Sequence, residues 1–195
     1  MINTTSPTTP KQTGGIFDNP EIPVARTGGA WANKYGTSVR HWDIAPPPEY
    51  FKALFRVSKN QIIWGGNYFN LPPTRCFNIW RKLTISESFT MAMCEYAWTS
   101  FNGNAKWYEC APQDPTRFHP TQKPVSLYEW QLSLYAQLGD SILDTHVGSA
   151  SSLVACHHQG FKYVGFEIDE EYYRLASERL EAEKAQVSLF DEVAE

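Results

Sequence analysis

Ser141-Ile142-Leu143-Asp144 runs into Thr145-His146-Val147-Gly148-Ser149, and Tyr163-Val164-Gly165-Phe166 leads into Glu167-Ile168-Asp169. Each short apolar run ends in an acid, and the two acids, Asp144 and Glu167, stand 23 residues apart. That spacing leaves room for a turn, a helix and a second strand. Short apolar runs bounded by turn residues read as buried strands of a parallel sheet. The stretch is therefore predicted to be a βαβ unit, with a Gly-Ser turn after the first strand and an acid at the end of the second. Such a turn lets backbone approach a ligand, and such an acid accepts hydrogen bonds from ribose hydroxyls. The unit reads as nucleoside-binding.

Working outward, Pro124 suits the first residue of a helix that runs to Leu138, with Leu127, Leu134 and Leu138 on one face and Gly139 as its stop. A further helix follows Asp169, with Tyr173, Ala176 and Leu180 facing inward and Tyr172-Tyr173 read as core. His157 and His158 fall on the intervening helix as surface or packing residues. Upstream, Pro48 to Val57 reads as a helix, and Asn60–Trp64, Arg75–Trp80 and Cys94–Phe101 read as strands. Residues 102–118 read as polar and irregular, and residues 16–47, with Gly28-Gly29 and Pro46-Pro47-Pro48, as loop. Residues 1–15 are rich in Thr, Pro, Gly and Asn and read as a disordered or extended arm. Alternating strands and helices predict a three-layer α/β fold around a mostly parallel sheet with an antiparallel strand, one domain over residues 1–184 and a tail over 185–195.

The bulk numbers agree with one domain. The chain has 195 residues, 42% of them hydrophobic, enough for a sizeable core. No apolar stretch approaches the ~20 residues of a membrane span, and the polar N-terminus does not read as a secretory signal. Cys76, Cys94, Cys110 and Cys156 are scattered, with no CxxC pair. They read as reduced, buried thiols of a cytosolic protein with no metal site. Charge is uneven: residues 1–125 carry a net +5 and residues 126–195 a net −9. A basic first half is what a polyanion would meet, although solvated acidic helix faces account equally for the acidic second half.

Several separated segments now stand in a familiar order. His119-Pro120-Thr121-Gln122-Lys123-Pro124, the Asp144–Ser149 turn and Gly165-Phe166-Glu167-Ile168-Asp169 follow Arg56–Phe69, with its Ile62-Ile63-Trp64-Gly65-Gly66-Asn67, and Cys94–Phe101. Together they resemble the DNA amino-methyltransferases whose catalytic half precedes the cofactor half, above all the small phage and prophage adenine enzymes. The resemblance covers about residues 42–182. It implies a Rossmann-like methyltransferase sheet, S-adenosylmethionine as cofactor, and transfer of a methyl group to the exocyclic N6 amine of adenine in double-stranded DNA. It implies a bacterial cytoplasmic location near the nucleoid, and a homo- or hetero-dimer as an option. Carried onto this chain, Gly148 and Ser149 bring backbone to the cofactor, and Asp144 orients its methionine end. Glu167 holds the ribose, His119, Thr121 and Lys123 line the methionine side, and His146 stands beside the turn. Ala150 replaces a usual second glycine, which alanine tolerates unless φ is positive there.

The catalytic signature of this family is Asp-Pro-Pro-Tyr or a close variant, and the tetrapeptide is absent from the chain. Its chemistry explains why it matters. The exocyclic amine is a weak nucleophile, two acceptors draw on its N–H groups, and an aromatic ring stacks on the flipped base. By spacing to Trp42-Asp43, Asp18, Asn19 and Pro20 occupy its place, without the aromatic. Two readings stay open. Asp18 and Pro20 serve, with Trp31 or Tyr35 as the stacking face. Alternatively, the chain is a degenerate DNA-binding paralogue, or a subunit completed by a partner. An RNA or small-molecule methyltransferase on the same fold is a further alternative.

Lys106, Trp107 and Arg117 lie where the resemblance puts target recognition, and cations interleaved with aromatics suit phosphate contact and base stacking. Gln186-Val187-Ser188-Leu189-Phe190 resembles the pentapeptide by which bacterial proteins dock on the replication sliding clamp as an extended strand.

Overall fold

The computed structural model describes residues 45–88 and 91–191. The chain divides into two units, Met1–Phe51 and Lys52–Glu195. Asp18, Asn19, Pro20, Trp31, Tyr35 and the 1–15 arm lie outside the described residues.

Helix α1 spans Pro48–Val57, with Glu49 in its first turn and Arg56 in its last, each sign matching the helix dipole. Ser58 closes it, its N–H and its hydroxyl both donating to the Leu54 carbonyl. Four strands then form one sheet: β1 (Ile62–Trp64), β2 (Phe77–Lys82), β3 (Cys94–Thr99) and β4 (Lys106–Cys110), in the order β1-β3-β2-β4. Strand β3 runs against both of its neighbours, while β2 and β4 are parallel. Three strands thus point one way, and β3 is the antiparallel one.

Strand β4 falls inside the segment read from sequence as irregular. Its pattern alternates, with Trp107 and Glu109 outward and Lys106, Tyr108 and Cys110 half-buried. Tyr108 is anchored by stacking on Trp130, at a 5.2 Å centroid distance. A strand that follows a polar loop and carries two charges in five residues is decided by that cross-layer contact more than by propensity.

The second half of the unit holds α2 (Val125–Tyr135), β5 (Ser141–Asp144), α3 (Ser151–His158), β6 (Lys162–Gly165) and α4 (Glu170–Asp191). Strands β5 and β6 pair in parallel, Asp144 opposite Gly165, with α3 as their crossover. This is the βαβ unit predicted above. Helix α3 is short, and its residues Ser151 to Cys156 are all buried, between α2 and α4 and against the two strands, while His158 is exposed. Its core partners are Ala150, Leu153, Val154, Ala176 and Leu180. Burial pushes the Cys156 thiol up to about 12, leaving it a small apolar packing group.

Several expectations are corrected. Among the described residues the strands fall in two sheets, β1-β3-β2-β4 and β5-β6. On α2 only Leu127 of the three named leucines is buried; Leu134 and Leu138 are exposed, and Gln131 takes the inner position. The helix stops at Tyr135, before the third leucine is reached. On α4, Tyr173 is exposed, whereas Ala176 and Leu180 are buried. Cys94 is exposed at the start of β3, while Cys76 and Cys156 are buried. Residues 186–190 are helical backbone within α4, not an extension beyond it. Among the described residues no helix is long and apolar enough to cross a membrane.

Candidate functional site

The ends of β5 and β6 meet at the turn that connects β5 to α3. Gly165 needs to lack a side chain, since a Cβ there would lie 2.5 Å from Val147 and 2.7 Å from Leu153. The absence of that atom seats the turn against β6. The Val147 N–H then donates to the Phe166 carbonyl at 3.0 Å, and the Phe166 N–H to the Asp144 carbonyl at 2.9 Å.

Glu167 completes the closure. Its Oε2 accepts the Gly148 N–H at 2.7 Å, and its Oε1 accepts the N–H groups of Ile168 and Asp169 at 2.9 and 3.0 Å. The glycine turn and the acid, separated by nineteen residues, are joined by one charge-assisted hydrogen bond. Gly148 has φ of 56°, and a Cβ on it would meet the His119 ring at 3.2 Å. The ring therefore caps the turn so closely that a Cβ there would press on it, at a φ that favours glycine.

Ala150 answers the condition set from sequence. Its φ is 61°, in the left-handed region, at the N-cap of α3. For an L-residue with a Cβ this conformation costs about 1–2 kcal/mol. The buried methyl offsets part of that cost through its contacts with Leu153, Val154, Ala176 and Leu180. From α4, Arg179 holds the same turn, donating to the Ser149 carbonyl at 2.8 Å and to Ser151 Oγ at 3.0 Å.

Asp144 accepts the His146 N–H at 2.9 Å and a short hydrogen bond from the Ser152 hydroxyl. Both bonds fasten the turn to its strand. His146 is exposed and bonds with Thr145 Oγ1 at 3.0 Å.

The His119–Lys123 segment forms the second wall. His119 is buried; its Nδ1 accepts the Thr121 N–H at 3.3 Å and lies 3.1 Å from the Thr121 hydroxyl, and its ring meets Tyr172 edge-on at 4.3 Å. Burial pulls the imidazole pKa down to about 4, with Lys123 and Arg117 adding to the effect and Glu167 and Asp169 opposing it. The ring is neutral at pH 7. Arg117 spends its guanidinium on the Pro112, Pro120 and Gln122 carbonyls, bracing this wall from behind. Gln122 is buried and donates to Asp114 at 2.8 Å.

Lys123 pairs with Glu95 on β3 at 3.1 Å and lies over the Trp64 ring, 5.3 Å from its centroid. The segment thus links the glycine turn to the C-terminal end of β1. Of the residues selected from sequence, Asp144, His146, Gly148 and Ser149 form the turn, Glu167 bonds to it, His119 lies over it with Thr121 bonded to the ring, and Lys123 lies on Glu95 and Trp64. Tyr172 and Arg179 on α4, which contact His119 and the turn, carry no local motif that would select them from sequence. Lys106 and Trp107 stand apart on β4: Trp107 is exposed, and the Lys106 ammonium lies over the Tyr135 ring, 5.3 Å from its centroid.

Residues 48–178 match the DNA methylase family. The chain belongs to that family. Among its relatives, a stretch of 65 residues is 42% identical to the type II methyltransferase M.HpaI of Haemophilus parainfluenzae, covering 33% of this chain and 21% of that protein. The type II methyltransferase M2.MboI of Moraxella bovis is 25% identical over 137 residues, covering 69% of this chain and 45% of that one. The chain thus spans less than half the length of these relatives. Among solved structures, the M1.HpyAVI–SAM complex superposes with a TM-score of 0.51 at 20% identity, over 69% of this chain and 85% of that one. At that identity the likeness is one of fold: a methyltransferase fold of mixed strands and helices.

Proposed function

We propose that this DNA methylase binds S-adenosylmethionine at the Gly148–Glu167 turn and acts in methylation of the adenine N6 amine of duplex DNA. One observation carries the reading: Glu167 reaches across to the Gly148 N–H at 2.7 Å while the His119 ring covers the glycine. The residues fit a nucleoside with a sulfonium tail. A Cβ at Gly148 would meet the His119 ring, and the acids Asp144 and Glu167, which follow from the two strands and bond to the turn, bring negative charge that suits a cation.

When bound, the donor supplies an electrophilic methyl group. The chain's own residues hold and shape. Glu167 presents carboxylate oxygens to vicinal hydroxyls beside the bonds it already makes to the turn. The backbone at Gly148 and Ser149 approaches the donor closely, and Asp144 faces its methionine end. A neutral His119 packs over the turn without adding a positive charge next to the sulfonium. Trp107 and Lys106 on β4 supply an exposed stacking face and a cation for DNA.

Calorimetry with S-adenosylmethionine tests the donor site: wild type binds, and Glu167→Ala loses most of the affinity. Absence of heat with wild type, or unchanged affinity in the variant, removes the proposal. Transfer of a labelled methyl group into duplex DNA tests catalysis separately.

A second reading is a DNA-binding subunit that needs a partner for catalysis. The missing Asp-Pro-Pro-Tyr tetrapeptide favours it. Donor binding without methyl transfer is its signature, whereas transfer abolished by Asp18→Ala supports the first reading. Clamp docking by residues 186–190 is kept as a proposal that requires the last turns of α4 to unwind; a pull-down with and without those residues decides it.

A further inference from the structure

One imidazole joins three helices at the end of α3. His158 is the last residue of that helix. Its Nδ1 lies 2.8 Å from Glu129 Oε1 on α2, and its Nε2 lies 3.4 Å from Glu183 Oε2 on α4. A neutral imidazole has one N–H to donate, and its second nitrogen carries a lone pair; an ionised carboxylate only accepts. Both contacts are therefore satisfied together only when the ring is an imidazolium. The C-terminus of a helix also favours a cation. The other titratable and charged groups of this corner are engaged elsewhere. The His157 ring stands 6.2 Å away, tilted by 51°. On α4, Lys184 is paired with Glu181 at 2.8 Å, and Arg179 is bonded to Ser149 and Ser151. The Cys156 thiol, pushed up to about 12, stays neutral.

Loss of the proton acts on one arm. The shorter contact, to Glu129, keeps the remaining N–H. The lone pair then faces the Glu183 carboxylate, and the two repel. Helices α2 and α3 stay joined, because Gln159 Nε2 donates to the Glu129 carbonyl at 2.9 Å whatever the charge of His158. Only α4 is released. Glu183 stands four residues after Arg179, on the same face of α4. Arg179 holds the glycine turn through the Ser149 carbonyl and Ser151 Oγ. Its guanidinium already feels the charges of Asp114 and Glu183. A Glu183 set free by the ring therefore draws Arg179 away from the turn.

We propose that His158 is a proton-operated clasp: charged, it binds α4 to α2 and α3 through Glu183 and keeps Arg179 on the glycine turn, and neutral, it lets α4 and the turn loosen. The hydrogen bond to Glu129, outweighing burial and aided by Glu183, raises the imidazole above its ordinary 6.5. A group raised in the fold contributes at low pH and loses its contribution as pH rises through the folded value. The clasp is thus closed in mild acid and opens toward alkaline pH. The three side chains are 34%, 33% and 31% exposed, so the effect is that of a partly screened ion pair, about two- to threefold. The turn it steadies is the one assigned above to the donor, and only this consequence rests on that reading.

The test follows the full chain from about pH 6 to about pH 9, the range in which a raised histidine loses its charge. NMR of the imidazole nitrogens reads His158, and amide hydrogen exchange, corrected for its intrinsic pH dependence, reads residues 148–151. In wild type the protection of these amides falls about two- to threefold as His158 loses its proton. In Glu183→Gln the fall disappears and protection stays high, since the amide accepts from the charged ring and donates to the neutral one. His158→Ala shows no step and stays at the open level; the near-isosteric Glu183→Gln keeps the test decisive if the alanine variant is destabilised. Protection that does not change while His158 titrates, or a step that survives in His158→Ala, overturns the proposal. Calorimetry over the same range reads the donor: affinity for S-adenosylmethionine falls by the same factor in wild type and not in Glu183→Gln, the ligand's own ionisation cancelling between the two. A step in exchange with none in affinity overturns the consequence for the donor. No donor binding at any pH overturns the donor reading, while the exchange result still decides the clasp.

Discussion

Acidification should destabilise this protein in a pH range where its carboxylates are still ionised, and His119 is the reason. Its folded pKa is about 4 against an ordinary 6.5. A group whose folded value is depressed binds more protons in the unfolded chain between those two values. Stability is therefore complete above about pH 6.5 and is lost as pH falls toward 4. The full difference of 2.5 units is worth about 3 kcal/mol, and the part lost between about pH 7.5 and pH 5 is about 2 kcal/mol. Glu95, held low by its lysines, and Asp114, held low by Thr116 and Gln122, contribute only at more acid pH. His158, raised by its hydrogen bond to Glu129, acts in the opposite sense: its contribution is present at low pH and lost as pH rises through its folded value. Urea denaturation across the range, on wild type and on His119→Gln, measures the slope. The glutamine keeps an acceptor for the Thr121 N–H and removes the His119 titration, so the variant loses the fall in stability between about pH 7.5 and pH 5 and keeps only the opposite trend set by His158. A wild type equally stable at both ends of that range, or a variant that keeps the wild-type slope, refutes the assignment.

Gly148→Ala places a methyl 3.2 Å from the His119 ring at a φ of 56°, so it destabilises by about 1–2 kcal/mol in thermal denaturation and loses donor binding with it. Ala150→Gly relieves left-handed strain of about 1–2 kcal/mol but gives up about 0.8 kcal/mol of buried methyl and adds unfolded-state entropy, so its stability stays within about 1 kcal/mol of wild type. Ala150→Val, β-branched at the same φ and in a filled core, loses more than about 2 kcal/mol, and urea midpoints distinguish the two. Trp107→Ala, at an exposed position, leaves stability within about 0.5 kcal/mol and weakens binding of duplex DNA in a fluorescence titration; unchanged DNA affinity removes β4 from the interface.

The strand–turn–helix–strand order around Asp144 and Glu167 was legible because each signal is local. A four-residue apolar run, a glycine turn and an acid are each decided by backbone sterics and burial within a few residues. Helix α1 was legible for the same reason, from its apolar spacing and its proline start. Strand β4 was not, since Tyr108 is held by Trp130, which lies far along the chain. The inner face of α2 was misread because Gln131 is buried where a leucine was expected and the helix ends at Tyr135. Tyr173 was misread because it is Tyr172 that turns onto His119.

By itself the sequence determined which residues make the βαβ unit, that glycine stands at 148 and an acid at 167, and that the usual catalytic tetrapeptide is absent. Tertiary structure decided the rest: the bond from Gly148 to Glu167, the depression of His119, the positive φ at Ala150 and the pairing of Lys82 and Lys123 on one carboxylate, that of Glu95. Each of these depends on distances between groups from different elements and on how much water the packing leaves between them. Burial and Coulomb energy are set by those distances, and no window of neighbouring residues contains them.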